Sequence, residues 1–217
     1  PLLLYLAYSG AGIRSVGSQL IMSEMTINNN NAVESGYTDE FAQGGGLRIS
    51  EMSSLIIANS DINNNEGRFG GGIYSDNDSY IELLNVNVNN NNVETFNNGN
   101  AAGAALHIEN TDINITNSSF LGNSGSTTDG QELGSFHTEF GTNVNVVNSI
   151  LWNENLDTEI TINNTNQGTG VPDVIINYSS IRGGYSGTGN IDIAPDQIPS
   201  DIGNPNAWYN DDVNDPS

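Results

Sequence analysis

The feature that most restricts how this chain can fold is a short pattern that returns six times. In each copy, an apolar pair spaced two apart is followed by a small or polar corner and then by another apolar residue. The copies occupy 18–31, 53–66, 79–92, 111–124, 142–155 and 172–185, so they recur every 26 to 35 residues. Alternating apolar residues indicate strands, and units this short bury almost nothing alone, so the copies must stack on one another.

Stacking places equivalent residues in columns. The leading apolar positions are Leu20, Leu55, Ile81, Ile113, Val144 and Val174, and those after the corner are Ile27, Ile62, Val88, Phe120, Ile150 and Ile181. Each well-buried aliphatic side chain contributes roughly 1.5–3 kcal/mol, so such columns supply a core without any helix. The sequence predicts an all-β fold, a right-handed parallel β-helix of about six or more coils over 1–195. We interpret 196–217 as an irregular acidic tail or the start of a cap.

Runs of asparagine and glycine explain how the coils turn. Asparagine follows the second apolar column at Asn28, Asn63 and Asn89. It tolerates the left-handed backbone of a sharp corner, and its amide both donates and accepts, so we expect these three residues to form a structural ladder. The glycines at 44–46 and 70–72 precede strands, at points where the backbone must turn tightly.

Composition excludes several classes of partner. The chain has 217 residues, with 26 acidic side chains against four basic ones, and its formal charge is −22. Nothing here could neutralise a row of phosphates, which argues against a nucleic-acid or anionic-membrane partner. No apolar run is long enough to span a bilayer, so we expect no membrane insertion by this segment. The absence of cysteine leaves the redox compartment open.

The repeated motifs resemble those of a known group of proteins. The segments INNNN…GGGL, INNNEGRFGGGIY and VNNNN…AGAAL resemble the polymorphic-membrane-protein and pectate-lyase-like repeats of bacterial secreted and surface β-helix proteins. The segments at 148–154, 178–195 and 201–212 are similar to the closing coils of large anchored surface proteins. The resemblance implies an extracellular or cell-surface location, and that Ser217 is not the natural C-terminus.

β-Helix enzymes are mainly polysaccharide lyases and hydrolases, so the resemblance makes a carbohydrate-active enzyme an alternative. Lysine is absent, and the paired-aspartate segment of the polygalacturonases that this fold resembles is missing. His107 and His137 occupy nearly equivalent places, in ALHIE and SFHTE, each followed two residues later by glutamate. Asp112 and Glu139 complete a weak catalytic set with them. The alternatives are a polar ladder on the outer face, a metal site or a general acid.

Calcium is the other cation that the sequence suggests. Asp76 and Asp78 lie two apart directly after a strand, and Asp211, Asp212 and Asp215 cluster near the end of the chain. Carboxylate oxygens suit a hard cation, although neither stretch has a complete EF-hand pattern. We expect no required cofactor, with calcium as a stabilising ion at these carboxylates.

These observations favour a structural or adhesive role within a larger secreted or surface protein of bacterial type. Such a segment would present loops or ladders to glycans, surfaces or other subunits. A carbohydrate-active enzyme is the alternative, and the sequence favours a non-enzymatic role over it. A subunit that associates end to end into a filament is a second alternative. An enzyme should have a groove with clustered acids and aromatic residues, whereas a stalk should carry evenly spread ladders.

Overall fold

Strands dominate the computed structural model, which describes residues 12–32, 42–95, 100–127, 133–163 and 170–197. In chain order the strands are β1 (Ile13–Val16), β2 (Gln19–Ser23), β3 (Thr26–Asn28), β4 (Leu47–Ser50), β5 (Ser54–Asn63), β6 (Glu66–Gly67), β7 (Ile73–Ser75), β8 (Ser79–Asn89), β9 (Asn92–Val93), β10 (Leu106–Ile108), β11 (Thr111–Thr116), β12 (Ser119–Leu121), β13 (Ser124–Gly125), β14 (Gly134–Thr138), β15 (Asn143–Val147), β16 (Ile150–Trp152), β17 (Thr158–Ile162), β18 (Asp173–Asn177) and β19 (Ser180–Ile181). A 3-10 turn follows at Pro195–Gln197. Within the described ranges, no helix is long and apolar enough to cross a membrane.

The strands form three parallel sheets that wind around one core. Sheet A stacks β1, β4, β7, β10, β14 and β17, and sheet C stacks β6, β9 and β13. Sheet B contains the remaining ten strands. This sheet has a bend at which most coils are divided into two strands, such as β2 and β3, whereas β5 and β8 each continue through it. The predicted all-β parallel solenoid is confirmed. It makes about five turns, so the expectation of six or more coils was too high, because six stacked strands are separated by only five steps.

The first predicted apolar column is confirmed by the strand register. Leu20, Leu55, Ile81, Ile113, Val144 and Val174 are paired in that order from coil to coil. The inner four are at most 2% exposed, while the two end members are partly buried and pack against the same core. Alternation with period two therefore places one apolar side chain inward in every coil.

The second column holds one correction. Ile27, Ile62 and Val88 are paired in register, and Phe120 pairs with Leu151, which pairs with Ile181. Ile150, predicted for this column, pairs instead with Ser119 and is only partly buried. The constant seven-residue spacing from Val144 leads to Leu151, so Ile150 lies one residue too early for the core.

Three consecutive asparagines have three different roles at the corner between sheets B and C. Asn28, Asn63 and Asn89 are paired in register, as expected of equivalent positions, but they end strands. The next residue in each coil, at Asn29, Asn64 and Asn90, has φ of 53–55° and turns the chain. The residue after that points inward. The turning residue is asparagine because its short polar side chain tolerates the left-handed region.

In the predicted ladder, Oδ1 of Asn89 accepts from the backbone N–H of Leu121 at 2.9 Å, but the amides that bond one another lie two residues further along. We call this set the inner asparagine row; its members are Asn30, Asn65, Asn91, Asn123 and Asn153. Each Nδ2 donates to the Oδ1 of the next member, at 2.9–3.1 Å, and that same Oδ1 also accepts from the backbone N–H of the preceding member. The last four members are fully buried. The row therefore satisfies backbone donors that would otherwise be orphaned inside the solenoid.

The inner asparagine row ends on a carboxylate. Asn153 donates its backbone N–H to Oε1 of Glu159 at 2.7 Å and its Nδ2 to Oε2 at 2.6 Å. Nε of Arg182 donates to Oε1 of Glu159 at 3.0 Å. Along the row, every side-chain amide donates to the oxygen of the next member, so the residue that ends the row has only to accept, which an ionised carboxylate does.

A row of serines has the same role at the bend within sheet B. Ser118 and Ser149 donate their backbone N–H groups to Oγ of Ser149 and Ser179, both at 3.1 Å. Ser179 then donates to Oδ1 of Asn190, whose Nδ2 donates to Ile176 O. Both rows thus end on residues near the last coil.

Glycine is required where the chain approaches sheet A. Gly44, Gly70 and Gly103 have φ of 67–69°, and a Cβ at each would lie 2.1 Å from the carbonyl oxygen three residues later. No other residue fits such a position. The predicted tight turn at the glycine runs is therefore present. The boundary predicted at 195/196 is untested, since residues 198–217 lie outside the described part of the chain.

Candidate functional site

The outer face of sheet A carries a column of unlike side chains. On each strand of this sheet, the residues on either side of the outward one point into the core, as Leu106 and Ile108 do. Each coil contributes one outward residue to the column. In order these are Arg14, Arg48, Tyr74, His107, His137 and Thr161. The two histidines therefore stack in adjacent coils, as their equivalent sequence positions suggested.

The rings of this column pack closely. The His107 ring stacks on His137 with centroids 4.8 Å apart and on Tyr74 at 5.2 Å, and Phe69 meets it edge-on at 5.2 Å. The guanidinium of Arg48 lies over the Tyr74 ring, 5.4 Å from its centroid. His107 and Tyr74 are 1% and 2% exposed, although they point away from the core of the solenoid. Because this packing buries them, the two rings are held in fixed orientations.

A second column of polar groups lies two residues further along each coil. Nε2 of His107 is 2.8 Å from Oε1 of Glu109 and 3.8 Å from Oε1 of Glu139. Nε2 of His137 is 3.2 Å from the same Glu139 oxygen. The Tyr74 hydroxyl donates to Glu109 at 3.0 Å, and Nδ2 of Asn163 donates to Glu139 at 3.4 Å. We call His107, His137, Glu109 and Glu139 the His–Glu cluster.

Burial and charge set the protonation of the cluster. Burial lowers the pKa of His137, and the neighbouring His107 lowers it further, against the opposing effect of Glu139. Burial alone would raise the pKa of Glu139, but its hydrogen bond with His137 and the two imidazoles outweigh burial and lower it. Burial, with Glu109 and Asp76 nearby, raises the pKa of Tyr74. At neutral pH His137 is therefore neutral and Glu139 is ionised, and the neighbouring Tyr74 phenol is protonated.

His137 is also oriented from its other side. Its Nδ1 lies 2.8 Å from Oγ1 of Thr161, whose hydroxyl is 3.2 Å from the Phe136 carbonyl oxygen and can donate to it. A neutral imidazole carries one N–H, so while Nε2–H donates to Glu139, Nδ1 accepts from the Thr161 hydroxyl. A metal on Nε2 requires the other tautomer, in which Thr161 accepts from Nδ1–H and its own hydroxyl donates to the Phe136 carbonyl. Among the described residues, Nδ1 of His107 is buried without a hydrogen-bond partner. His107, His137 and Glu139 thus bring one ligand atom each to within 4.8 Å of one another on the outer face, and Glu109 lies beside His107.

Asp112 does not join the other predicted catalytic residues. It lies on β11 in sheet B, where its Oδ1 accepts from Nδ2 of Asn143 at 2.6 Å. The histidines and Glu139 belong to sheet A. The candidate set is therefore divided: His107, His137 and Glu139 come together and Asp112 belongs to an ordinary cross-strand pair.

The two predicted calcium ligands have different partners. Oδ2 of Asp76 lies 3.3 Å from NH2 of Arg48, in a largely buried ion pair. Oδ1 of Asp78 accepts from Nδ2 of Asn110 at 2.7 Å. Burial raises the pKa of Asp76, and Arg48 opposes the shift. Calcium binding at these two residues stays a prediction. Asp211, Asp212 and Asp215 lie outside the described residues.

Sequence reasoning missed the residues that surround the histidines. These residues are Tyr74, Phe69 and Thr161. They differ in type from the histidines, so a pattern of repeated residue types does not indicate them. Aligning GGGIYS with ALHIE by their inward apolar positions would have placed Tyr74 beside His107. Phe69 reaches the cluster from outside the strands, and no spacing rule indicates that contact.

Comparison with known proteins adds no assignment. Neither a family model, nor a curated protein, nor a solved structure matches this chain. The class of protein is therefore defined by the fold alone, as an all-β parallel solenoid. Its function has to be inferred from the residues on the surfaces of the solenoid.

Proposed function

We propose that this segment is a structural and adhesive β-solenoid of a larger bacterial surface or secreted protein. The observation that carries the proposal is the even spread of hydrogen-bonded ladders on sheet B. On its outer face, Nδ2 of Asn143 donates to Asp112 at 2.6 Å, Nδ2 of Asn145 donates to Asn114 at 3.2 Å, and Nδ2 of Asn87 donates to Asp61 at 2.8 Å. Such rows suit a rigid support that presents a repeated surface.

The adhesive part of the proposal rests on one shallow depression on sheet B. Tyr80, Asp112, Asn114, Asn145 and Asp173 line it, and its volume is about 270 Å³. An aromatic ring beside amides and carboxylates can stack on a sugar ring and hydrogen-bond its hydroxyl groups. No basic residue is among those that line this depression, so neutral glycans fit it better than acidic ones. We therefore propose neutral glycans of extracellular or cell-surface material as the partner.

A binding experiment tests the adhesive role. The 217-residue chain is titrated with neutral and acidic oligosaccharides by calorimetry, and we expect binding to the neutral class only. Tyr80→Ala and Asn114→Ala should each weaken it about tenfold, the loss expected for a stacking or hydrogen-bond contact of about 1.4 kcal/mol. Asn85→Ala is the matched control, because Asn85 is an exposed asparagine that bonds Asn59 outside the depression.

Two results would count against this function. The first is the absence of binding to every glycan, or affinity that the two depression variants leave unchanged. The second is turnover: release of reducing or unsaturated ends from pectin or alginate would support the carbohydrate-active enzyme instead. Loss of that turnover in His137→Gln would locate it at the His–Glu cluster.

A further inference from the structure

We propose that His107, His137 and Glu139, with Glu109 as fourth ligand, form a binding site for one divalent transition-metal ion of the zinc type. The stacking of coils brings the ligands together from two adjacent strands, β10 and β14, in which His107 and His137 are register partners. One ligand atom from each of His107, His137 and Glu139 lies within 4.8 Å of the other two. No step of this inference depends on the adhesive role.

The distances within the cluster suit tetrahedral coordination. Ligand atoms bound to zinc at roughly 2.0–2.2 Å are separated from one another by about 3.3–3.6 Å. Nε2 of His107 lies 2.8 Å from Glu109 and 3.8 Å from Glu139, and Nε2 of His137 lies 3.2 Å from Glu139. These three separations bracket the tetrahedral edge, and His107, His137 and Glu139 lie within 4.8 Å of one another, so a cation can bind these three groups, with Glu109 turning in from its bond to His107.

Each ligand except His107 has an outer partner that holds it. Thr161 accepts from Nδ1 of His137 when its own hydroxyl turns to the Phe136 carbonyl, and this leaves Nε2 free to bind a metal. Tyr74 donates to Glu109 and Asn163 donates to Glu139. Partners of this kind orient metal ligands and raise their affinity. His107 is instead fixed by its packing between Tyr74 and His137.

The chemistry of the ligands selects the ion. Two imidazoles and two carboxylates suit zinc, cobalt or nickel, whereas calcium takes six to eight oxygen ligands. The Glu109 and Glu139 side chains are 26% and 17% exposed, which gives an ion a path from solvent to the buried nitrogens. The bound ion would join two neighbouring coils across sheet A. A polar ladder of the same residues would need no ion and would show no preference between metals.

Metal titration tests the proposal. After treatment with a chelator, the 217-residue chain is titrated with Zn²⁺ by calorimetry and with Co²⁺ by visible absorption. We expect one equivalent of each per chain, a tetrahedral Co²⁺ spectrum and a rise in melting temperature with Zn²⁺. Calcium at the same concentration should produce neither the stoichiometric binding nor the same rise.

Variants make the assignment specific. His137→Gln and Glu139→Gln should each lower Zn²⁺ affinity at least 100-fold, and Thr161→Val should lower it 10- to 100-fold through loss of the outer partner. Asp112→Asn is the matched control, since it removes a carboxylate on sheet B and should leave affinity unchanged. Circular dichroism checks that each variant is folded, and Glu139→Gln replaces His137→Gln if the latter is not. Absence of one-equivalent binding, or binding that folded His137 and Glu139 variants retain, would overturn the site.

Discussion

Replacing Asn91 with alanine is the most direct test of what holds the coils in register. The Asn91 side chain is fully buried and makes four hydrogen bonds. Its Oδ1 accepts from the backbone N–H and Nδ2 of Asn65, both at 3.0 Å. Its Nδ2 donates to Ile62 O at 2.9 Å and to Oδ1 of Asn123 at 3.1 Å.

The expected loss of stability depends on which hydrogen bonds the partners of Asn91 keep after the substitution. The Asn65 N–H loses its acceptor inside the solenoid, which costs about 1–3 kcal/mol. Nδ2 of Asn65 still donates to Ile27 O, and Oδ1 of Asn123 still accepts from the Asn91 backbone, so each of these losses is smaller. We therefore expect Asn91→Ala to lower the free energy of unfolding by about 2–4 kcal/mol.

Asn63→Ala is the matched control. Asn63 belongs to the same asparagine runs and is paired in register with Asn89, but its side chain makes no hydrogen bond within the described residues. We expect it to cost less than about 0.5 kcal/mol, as surface substitutions usually do. Urea unfolding followed by circular dichroism and by tryptophan fluorescence measures both variants, and coincident curves establish that the transition is two-state. Equal, small losses in Asn91→Ala and Asn63→Ala would refute the inner asparagine row as a source of stability.

Three further predictions concern the core, a buried ion pair and a pair of carboxyl groups. Phe120→Ala should cost about 3–5 kcal/mol in urea unfolding, because Phe120 is fully buried, whereas Ile21→Ala at a 67% exposed position should cost little. Arg182→Leu should cost about 2–4 kcal/mol, since it leaves the Glu159 carboxylate buried without its cation; a neutral result would show that this pair contributes nothing. Burial, together with the hydrogen bond and charge of Glu94, raises the pKa of Glu66. A raised carboxyl pKa makes the folded state bind more protons, so the free energy of unfolding should fall as pH rises from about 4.3 through the Glu66 pKa. Glu94→Gln should reduce that fall, and an unchanged pH profile would show that the two carboxyl groups are not coupled.

The core of this fold was predictable because its signal is periodic. A spacing of two determines which side chains point inward. A constant step of seven residues then leads across the bend from the first apolar column to the second, from Leu55 to Ile62 and from Ile81 to Val88. The same step would have identified Leu151. The choice of Ile150 failed because a one-residue shift in a strand moves a side chain to the other face.

The corner was harder to predict because neighbouring asparagines are chemically identical. In a run such as Asn63, Asn64 and Asn65, composition cannot tell which residue ends the strand, which takes positive φ and which turns inward. That division depends on the backbone path. Asn123 and Asn153 were missed altogether, because glycine and tryptophan precede them and no run of asparagines marks the place.

For the candidate site, the sequence placed the two histidines and their glutamates correctly relative to one another. Spacing alone could show that ALHIE and SFHTE are equivalent, and the register confirms it. It could not show that Phe69 packs edge-on against His107 or that Thr161 bonds His137. Those contacts depend on where non-repeating segments return to the sheet.

The direction of the inner asparagine row limits how a chain like this can change in length. In a duplicated coil inserted before Asn153, the new asparagine would accept from the amide of the coil before it and donate to the asparagine of the next coil. No corner residue would have to change. Glu159 cannot be repeated in this way, because its carboxylate accepts from the coil before it and offers the next coil no proton. We therefore expect that duplication of an interior coil would preserve these hydrogen bonds, whereas duplication of the coil that contains Glu159 would interrupt the row.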